Sequence, residues 1–173
     1  MEIVVTSDAH GRGFLLNEIE HWHPEAELFV NLGDLEENPQ SFPDWLFVRG
    51  NNDFYSGREM PDERVLKLGD HKVLMLHSQY FPYFNREEQL SRYALDKGCD
   101  IVLYGHTHVP KIQRVNGVLL LNPGSLWQNR DGSDPSYAIL NLDGPQTEAK
   151  IIHESDWPAL PAKPKKEKKR WFW

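Results

Sequence analysis

A single cysteine, Cys99, stands in a chain of 173 residues, so no disulfide can close within it. Structural zinc sites, which draw most of their ligands from cysteine, are excluded on the same ground. Long apolar runs are also missing. No stretch approaches the roughly 18 residues that a membrane-spanning helix requires, and Met1-Glu2-Ile3 opens on a strand pattern without the basic start of a secretory signal. These absences predict a cytoplasmic protein, the default for a chain with one thiol and no targeting segment. Positive charge is scarce outside one segment. The formal net charge is −7; Lys163, Lys165, Lys166, Lys168, Lys169 and Arg170, less Glu167, put +5 on the C-terminal stretch and leave −12 on the rest. Nucleic-acid binding draws most of its affinity from neutralised phosphates, so an acidic body is not expected to take a long nucleic acid as partner.

What is present suffices for one domain, since the length lies within the usual range of about 100–200 residues and 39% of the chain is hydrophobic. Residues 1–157 are expected to form it. Residues 158–173, rich in proline, lysine and tryptophan, read as a solvated tail, although basic residues beside tryptophans also suit an interface. There are no internal repeats, and formation of a homo-oligomer is left open.

Apolar periodicity places strands at Ile3–Ser7, Leu28–Asn31 and Leu46–Val48, with a helix over Phe14–Trp22 between the first two. Gly69-Asp70 joins Val65–Leu68 to Val73–Leu76 as a hairpin, and Asn116-Gly117 joins Lys111–Val115 to Val118–Leu121. A second helix spans Asn85–Lys97, Ile101–Tyr104 is a further strand, and Ser136–Asn141 and Ala149–Ile152 add late ones. An α/β start with a β-rich finish predicts two packed sheets flanked by helices. The aromatic run Tyr80, Phe81, Tyr83 and Phe84 reads first as core packing and second as a shelf for a flat ring.

Five fragments carry chemistry: Asp8-Ala9-His10, Gly33-Asp34, Gly50-Asn51-Asn52-Asp53, His77, and Gly105-His106-Thr107-His108. Each follows an apolar run, as the loop at the C-terminal end of a buried strand does, and open α/β sheets gather their sites at such ends. Carboxylate, imidazole and amide oxygen together suit Mn, Fe, Zn, Ni or Co. Two ions roughly 3.5–4 Å apart need a carboxylate between them, for which Asp34 is the natural candidate. Of the other histidines, His21 and His23 fall at a helix end, His71 in a turn and His153 beyond the last strand, where capping or solvated roles are expected.

Taken in order, Asp-X-His, Gly-Asp, Gly-Asn-X-Asp, His and Gly-His-X-His resemble the calcineurin-like metallophosphoesterase superfamily. The short chain with Asn122-Pro123-Gly124-Ser125 is similar to its small YfcE-like phosphodiesterase branch. The resemblance runs from Asp8 to about Arg130. It implies a four-layer αββα sandwich of two mixed β-sheets flanked by helices. It also implies two divalent ions, manganese favoured. Asp8, His10, Asp34 and His108 would surround one, and Asp34, Asn51, His77 and His106 the other. The implied activity is hydrolysis of a small phosphoester, with a diester favoured over a monoester, by a hydroxide bridging the ions. Asp34, Asn51, Asn52, Asp53 and His106 are the expected catalytic positions, Asp53 orienting an imidazole from outside the ligand set. The chain departs from the family where Asn52 stands in place of a general-acid histidine, and where Ser78-Gln79-Tyr80 follows His77. A weakly active or inactive scaffold, as the superfamily's retromer subunit is, or a nucleotide-binding sensor, is the alternative.

Overall fold

The computed structural model describes residues 1–54 and 59–159. Its elements in chain order are β1 (Glu2–Thr6), α1 (Phe14–Trp22), β2 (Leu28–Asn31), β3 (Trp45–Phe47), β4 (Glu63–Leu68) and β5 (His71–Leu76). They continue with α2 (Arg86–Asp96), β6 (Ile101–Tyr104), β7 (Lys111–Val115), β8 (Val118–Asn122), β9 (Ser136–Asp143) and β10 (Gln146–His153). From residue 160 on, the basic tail lies outside the described residues.

Side chains alternate across each strand, and the central strands are apolar on both faces, so each sheet has two surfaces to cover. Ile3 and Val5 of β1, Val73 and Met75 of β5, Ile101 and Leu103 of β6, and Leu119 and Leu121 of β8 meet in one buried cluster between the sheets. Their even-numbered neighbours face outward. Val4 packs with Leu15, Leu16 and Ile19 of α1, whereas Leu74, Val102 and Leu120 pack with Leu90 and Ala94 of α2. The result is helix, sheet, sheet, helix, as the family resemblance implied. Strand order is β10-β9-β1-β2-β3 in one five-stranded sheet and β4-β5-β6-β8-β7 in the other. Both are mixed: β1 runs parallel to β2 and antiparallel to β9, while β5, β6 and β8 are mutually parallel between antiparallel edges.

Packing rather than capping holds the helices. The N-cap of α1 is Gly13 and that of α2 is Asn85, and neither supplies a side-chain bond to its first turn. Three fully buried residues in α1, at roughly 1.5–3 kcal/mol each, stabilise a nine-residue helix that would not persist alone. The Asn116-Gly117 hairpin forms as expected, both residues lying in the left-handed region at φ 52° and 82°. β9 and β10 run longer than their apolar cores suggest, because Gln146, Glu148 and Lys150 alternate on the exposed face of an edge strand where no core demands hydrophobicity.

His71 is a correction. It is buried at the start of β5, in phase with Val73 and Met75, rather than solvated in the turn. Its Nδ1 lies 2.6 Å from Asp100 Oδ2, and Asp100 Oδ1 accepts from the Lys72 amide at 2.8 Å, tying β5 to the start of β6. Burial opposes the Asp100 charge, but the bonds from His71 and Lys72 more than offset it and hold this carboxyl below its usual 3.8. A depressed carboxyl stabilises the fold above its unfolded pKa, and that contribution is lost as pH falls through the folded value. Asp100→Ala should therefore cost about 1–2 kcal/mol of unfolding free energy at neutral pH. The gap to the parent protein in denaturant titrations should close on acidification below pH 3.8.

Candidate metal centre

β1, β2 and β3 are parallel, and so are β5, β6 and β8, so each sheet delivers its strand ends to one edge. All five sequence fragments leave from those ends. The loops are bonded to one another at once: the Asp8 amide donates to the Gly33 carbonyl at 2.9 Å and the His10 amide to the Asp34 carbonyl at 3.0 Å. To aim side chains inward from such tight exits, the backbone enters the left-handed region at Asp8, His10, Asp34, His106 and His108, with φ between 45° and 74°. Non-glycine residues rarely adopt it, and such strain concentrates where side-chain placement matters more than local comfort.

Two groups result. Ligand atoms of Asp8, His10 and His108 lie within 4.8 Å of one another, as do those of Asp8, Asp34 and His77. Asn51 Oδ1 joins the second group, 3.2 Å from His77 Nε2 and 2.8 Å from His106 Nδ1. All seven expected ligands are therefore brought together. Asp8 enters both groups and Asp34 only the second, although Asp34 was the residue expected between the ions.

The protonation pattern shows what the site lacks. His77 Nδ1 lies 2.7 Å from the Leu32 carbonyl and His108 Nδ1 lies 3.0 Å from that of Gln128. A carbonyl can only accept, so both Nδ1 atoms carry hydrogen, and in the neutral ring each Nε2 presents a lone pair. His10 Nδ1 is likewise engaged by Glu36 Oε1 at 2.6 Å. Its Nε2 then faces His108 Nε2 at 3.2 Å, which in turn faces Asp8 Oδ1 at 3.1 Å. His77 Nε2 faces Asp34 Oδ2 at 3.4 Å. Acceptors aimed at acceptors call for a cation among them, and among the described residues buried Asp8 Oδ1 has no hydrogen-bond donor. The donor set thus fits divalent ions, and the Nδ1 partners fix each ring as partners of metal-bound histidines do.

Charge balance points the same way. Burial opposes ionisation of Asp34, but hydrogen bonding and charge from His77, with two bonds from Asn52, hold its pKa down to about 2. Burial opposes the Asp8 charge too, and His77 and His108 overcome it. Burial also disfavours the His77 imidazolium, yet Asp8 and Asp34 raise its pKa, so the pocket prefers positive charge on that ring. His106 is pushed down to about 4 by burial and then by the charges of His77 and Arg86, which leaves it neutral at neutral pH.

Several supports were misread or missed in the sequence. Asp53 does not meet an imidazole; it accepts from the amides of Asp34, Glu36 and Gly50 at 2.8, 2.8 and 2.9 Å, and the carboxylate on an imidazole is that of Glu36. Asn52 donates to Asp34 twice, through its amide and its Nδ2, both at 2.7 Å. Asn122 and Ser125 are more than turn residues: Asn122 Nδ2 donates to the Gly105 carbonyl and Ser125 Oγ to that of Asp8. Gly33 sits at φ 99° with no room for a Cβ, which would lie 2.6 Å from the Gly50 amide nitrogen. Trp127 stands edge-on to His10 at 5.4 Å. Of the aromatic run, Phe81 packs into the core as expected, but Tyr80, Tyr83 and Phe84 are 76%, 89% and 78% exposed. Tyr80 and Phe54 line a cleft of about 250 Å³ that reaches Asn51.

A family model for the calcineurin-like phosphoesterase superfamily domain matches residues 1–144. The chain belongs to that superfamily. It is similar to a probable metallophosphoesterase of Methanothermobacter thermautotrophicus, at 33% identity over 74% of this chain and 76% of the relative. Among solved structures it is similar to a predicted phosphoesterase of Streptococcus pneumoniae TIGR4, with a TM-score of 0.80, 30% identity and 88% of each chain covered. YfcE, a phosphoesterase from E. coli, shares the fold at a TM-score of 0.63 and 20% identity, over 82% of this chain and 88% of its own. Within the candidate centre, the Asp53 carboxylate tethers the Asp34 loop. Asp53→Ala would leave three backbone amides without their acceptor, and we expect on the order of 2–4 kcal/mol loss in unfolding free energy even after chelator treatment. A loss below about 0.5 kcal/mol would show that Asp53 does not carry the loop.

Proposed function

We propose that this chain is a metal-dependent phosphodiesterase that hydrolyses a small phosphoester at a pair of divalent ions. The observation that carries the reading is the convergence, from five separate loops, of imidazole nitrogens on carboxylate and amide oxygens, with His77 and His108 turned by their Nδ1 bonds so that Nε2 faces inward. Asp8, His10, Asp34 and His108 would hold one ion and Asp34, Asn51, His77 and His106 the other, manganese being our first choice. Such ions supply positive charge to the phosphoryl oxygens and acidify a bound water. The chain's own residues do the rest. Asn52 fixes the Asp34 carboxylate through both of its oxygens, and Glu36 and the carbonyls of Leu32 and Gln128 fix the rings. Asp53 keeps the loop that bears Asp34 in register with Gly50. Phe54 and Tyr80 offer exposed faces beside Asn51 on which a flat ring of the substrate can stack.

Loss of one charge from a carboxylate placed between two ions loosens both. Asp34→Asn should lower the hydrolysis of bis-p-nitrophenyl phosphate by more than the roughly 10–100-fold seen for partners of metal ligands, and should reduce the metal content of the purified protein. Unchanged metal and unchanged rate would end the two-ion reading. Metal retained with no turnover in the parent protein would point instead to a nucleotide-binding sensor.

Asn52 has no proton to give, so the leaving oxygen departs unassisted by that position. General acid catalysis is typically worth about 10²–10⁴-fold and matters most for basic leaving groups. We expect kcat/KM to fall steeply with leaving-group pKa across aryl and alkyl diesters. Bis-p-nitrophenyl phosphate should also be preferred over p-nitrophenyl phosphate, whose extra charge an acidic body disfavours. A shallow slope would reveal another proton donor.

A further inference from the structure

Arg86 is a buried cation without an acid. It opens α2 and is 5% exposed. Its Nη1 donates to the carbonyl and hydroxyl oxygens of Ser78, both at 2.9 Å, while its Nε, also buried, has no partner. It makes no ion pair among the described residues, unlike Arg12, Arg49, Arg92, Lys97 and Lys111. Glu87 stands next to it in the helix, but that carboxylate already accepts from Lys111 Nζ at 2.8 Å and from the Tyr104 hydroxyl at 3.3 Å. Arg86 and Lys111 against Glu87 leave one uncompensated positive charge. A buried charge left unpaired costs several kcal/mol, so its persistence calls for a counter-charge.

The space for one is present. Arg86, Glu87, Lys111, Tyr83, Tyr104 and Thr107 line a cavity of about 210 Å³. Thr107 Oγ1 accepts from Asn122 Nδ2 at 3.0 Å and from the Val109 amide at 3.2 Å, which leaves its hydroxyl hydrogen to give. The cavity is therefore lined by the Arg86 side chain, which has no carboxylate partner among the described residues, and by Thr107 with its hydroxyl hydrogen unused, and it carries an excess of positive charge. A ligand that only accepts, carries negative charge and matches a guanidinium fork is an oxyanion.

We propose that this cavity binds a phosphate-class oxyanion, held by Arg86 with Thr107 and Lys111. None of the candidate metal ligands lines this cavity, although Thr107 follows His106 directly and the charge of Arg86 is felt at that ring, so the two sites adjoin.

The test is calorimetric titration of inorganic phosphate into the full-length protein as purified, at neutral pH and fixed ionic strength. Phosphate seated on metal would be lost in Asp8→Asn and kept in Arg86→Met; phosphate in the cavity does the reverse. We expect saturable binding that survives Asp8→Asn and weakens about tenfold or more in Arg86→Met. Lys111→Gln retains Arg86 with its Ser78 contacts and frees the Glu87 carboxylate, so it should weaken binding as well and serves if Arg86→Met fails to fold. Methyl phosphate distinguishes the two sources of such an anion. Binding as tight as that of phosphate assigns the pocket to an esterified phosphoryl group, and weaker binding assigns it to the free ion; the site stands in either case. Absence of saturable phosphate binding in Asp8→Asn, or an unchanged Kd in both Arg86→Met and Lys111→Gln, overturns the proposal.

Discussion

Mutual repulsion among electron-pair donors is the constraint to which the structure around the candidate centre is fitted. Asp8, Asp34, Asn51 and the neutral rings of His10, His77 and His108 turn lone pairs towards one another over little more than 3 Å. Left to themselves, these side chains would rotate away. They are prevented by bonds on their far sides: the Leu32 and Gln128 carbonyls and Glu36 on rings, Ser7 and Asn52 on carboxylates. Holding donors apart from hydrogen and close to each other takes work, which a bound cation returns as affinity.

That work is supplied by the sheets. Parallel strands cannot be joined by tight turns, so their C-terminal ends are free to carry loops of arbitrary length, and two sheets stacked face to face bring six such ends together. A core filled from both sheets, with a helix sealing each outer face, lets the loops borrow rigidity from a body that they do not contribute to. Five left-handed backbone positions on ligand residues are tolerable only on such a support.

Much of this was legible in the sequence because ligands and central strands obey strong local rules. Phe14–Trp22, Leu28–Asn31 and Ile101–Tyr104 were readable to the residue, since the apolar spacing starts and stops sharply there. The candidate ligand residues lie directly after apolar runs, which drew attention to their fragments, and the family resemblance assigned them to ions. What resisted reading was whatever depends on the far side of a loop. Asp53 and Glu36 are both acidic and both near ligands, and only three dimensions show that one binds amides and the other a ring. His71 looked like a turn residue because its hydrogen-bond partner, Asp100, is 29 residues away. Tyr80, Tyr83 and Phe84 looked like core because hydrophobicity carries no address.

Asn52 illustrates a conflict between structure and chemistry within one side chain. Position 52, where the family pattern led to the expectation of a histidine, is in this chain given over to gripping Asp34 with both nitrogens of Asn52. An imidazole placed at that position would bring a proton to the leaving group but could not repeat the short amide contact to Asp34 Oδ2. Reactivity toward stubborn esters and a firmly seated carboxylate are thus alternatives at this locus, and the chain has settled on the second. Under the proposed function, the substrate expected is one whose departing oxygen leaves readily as an anion.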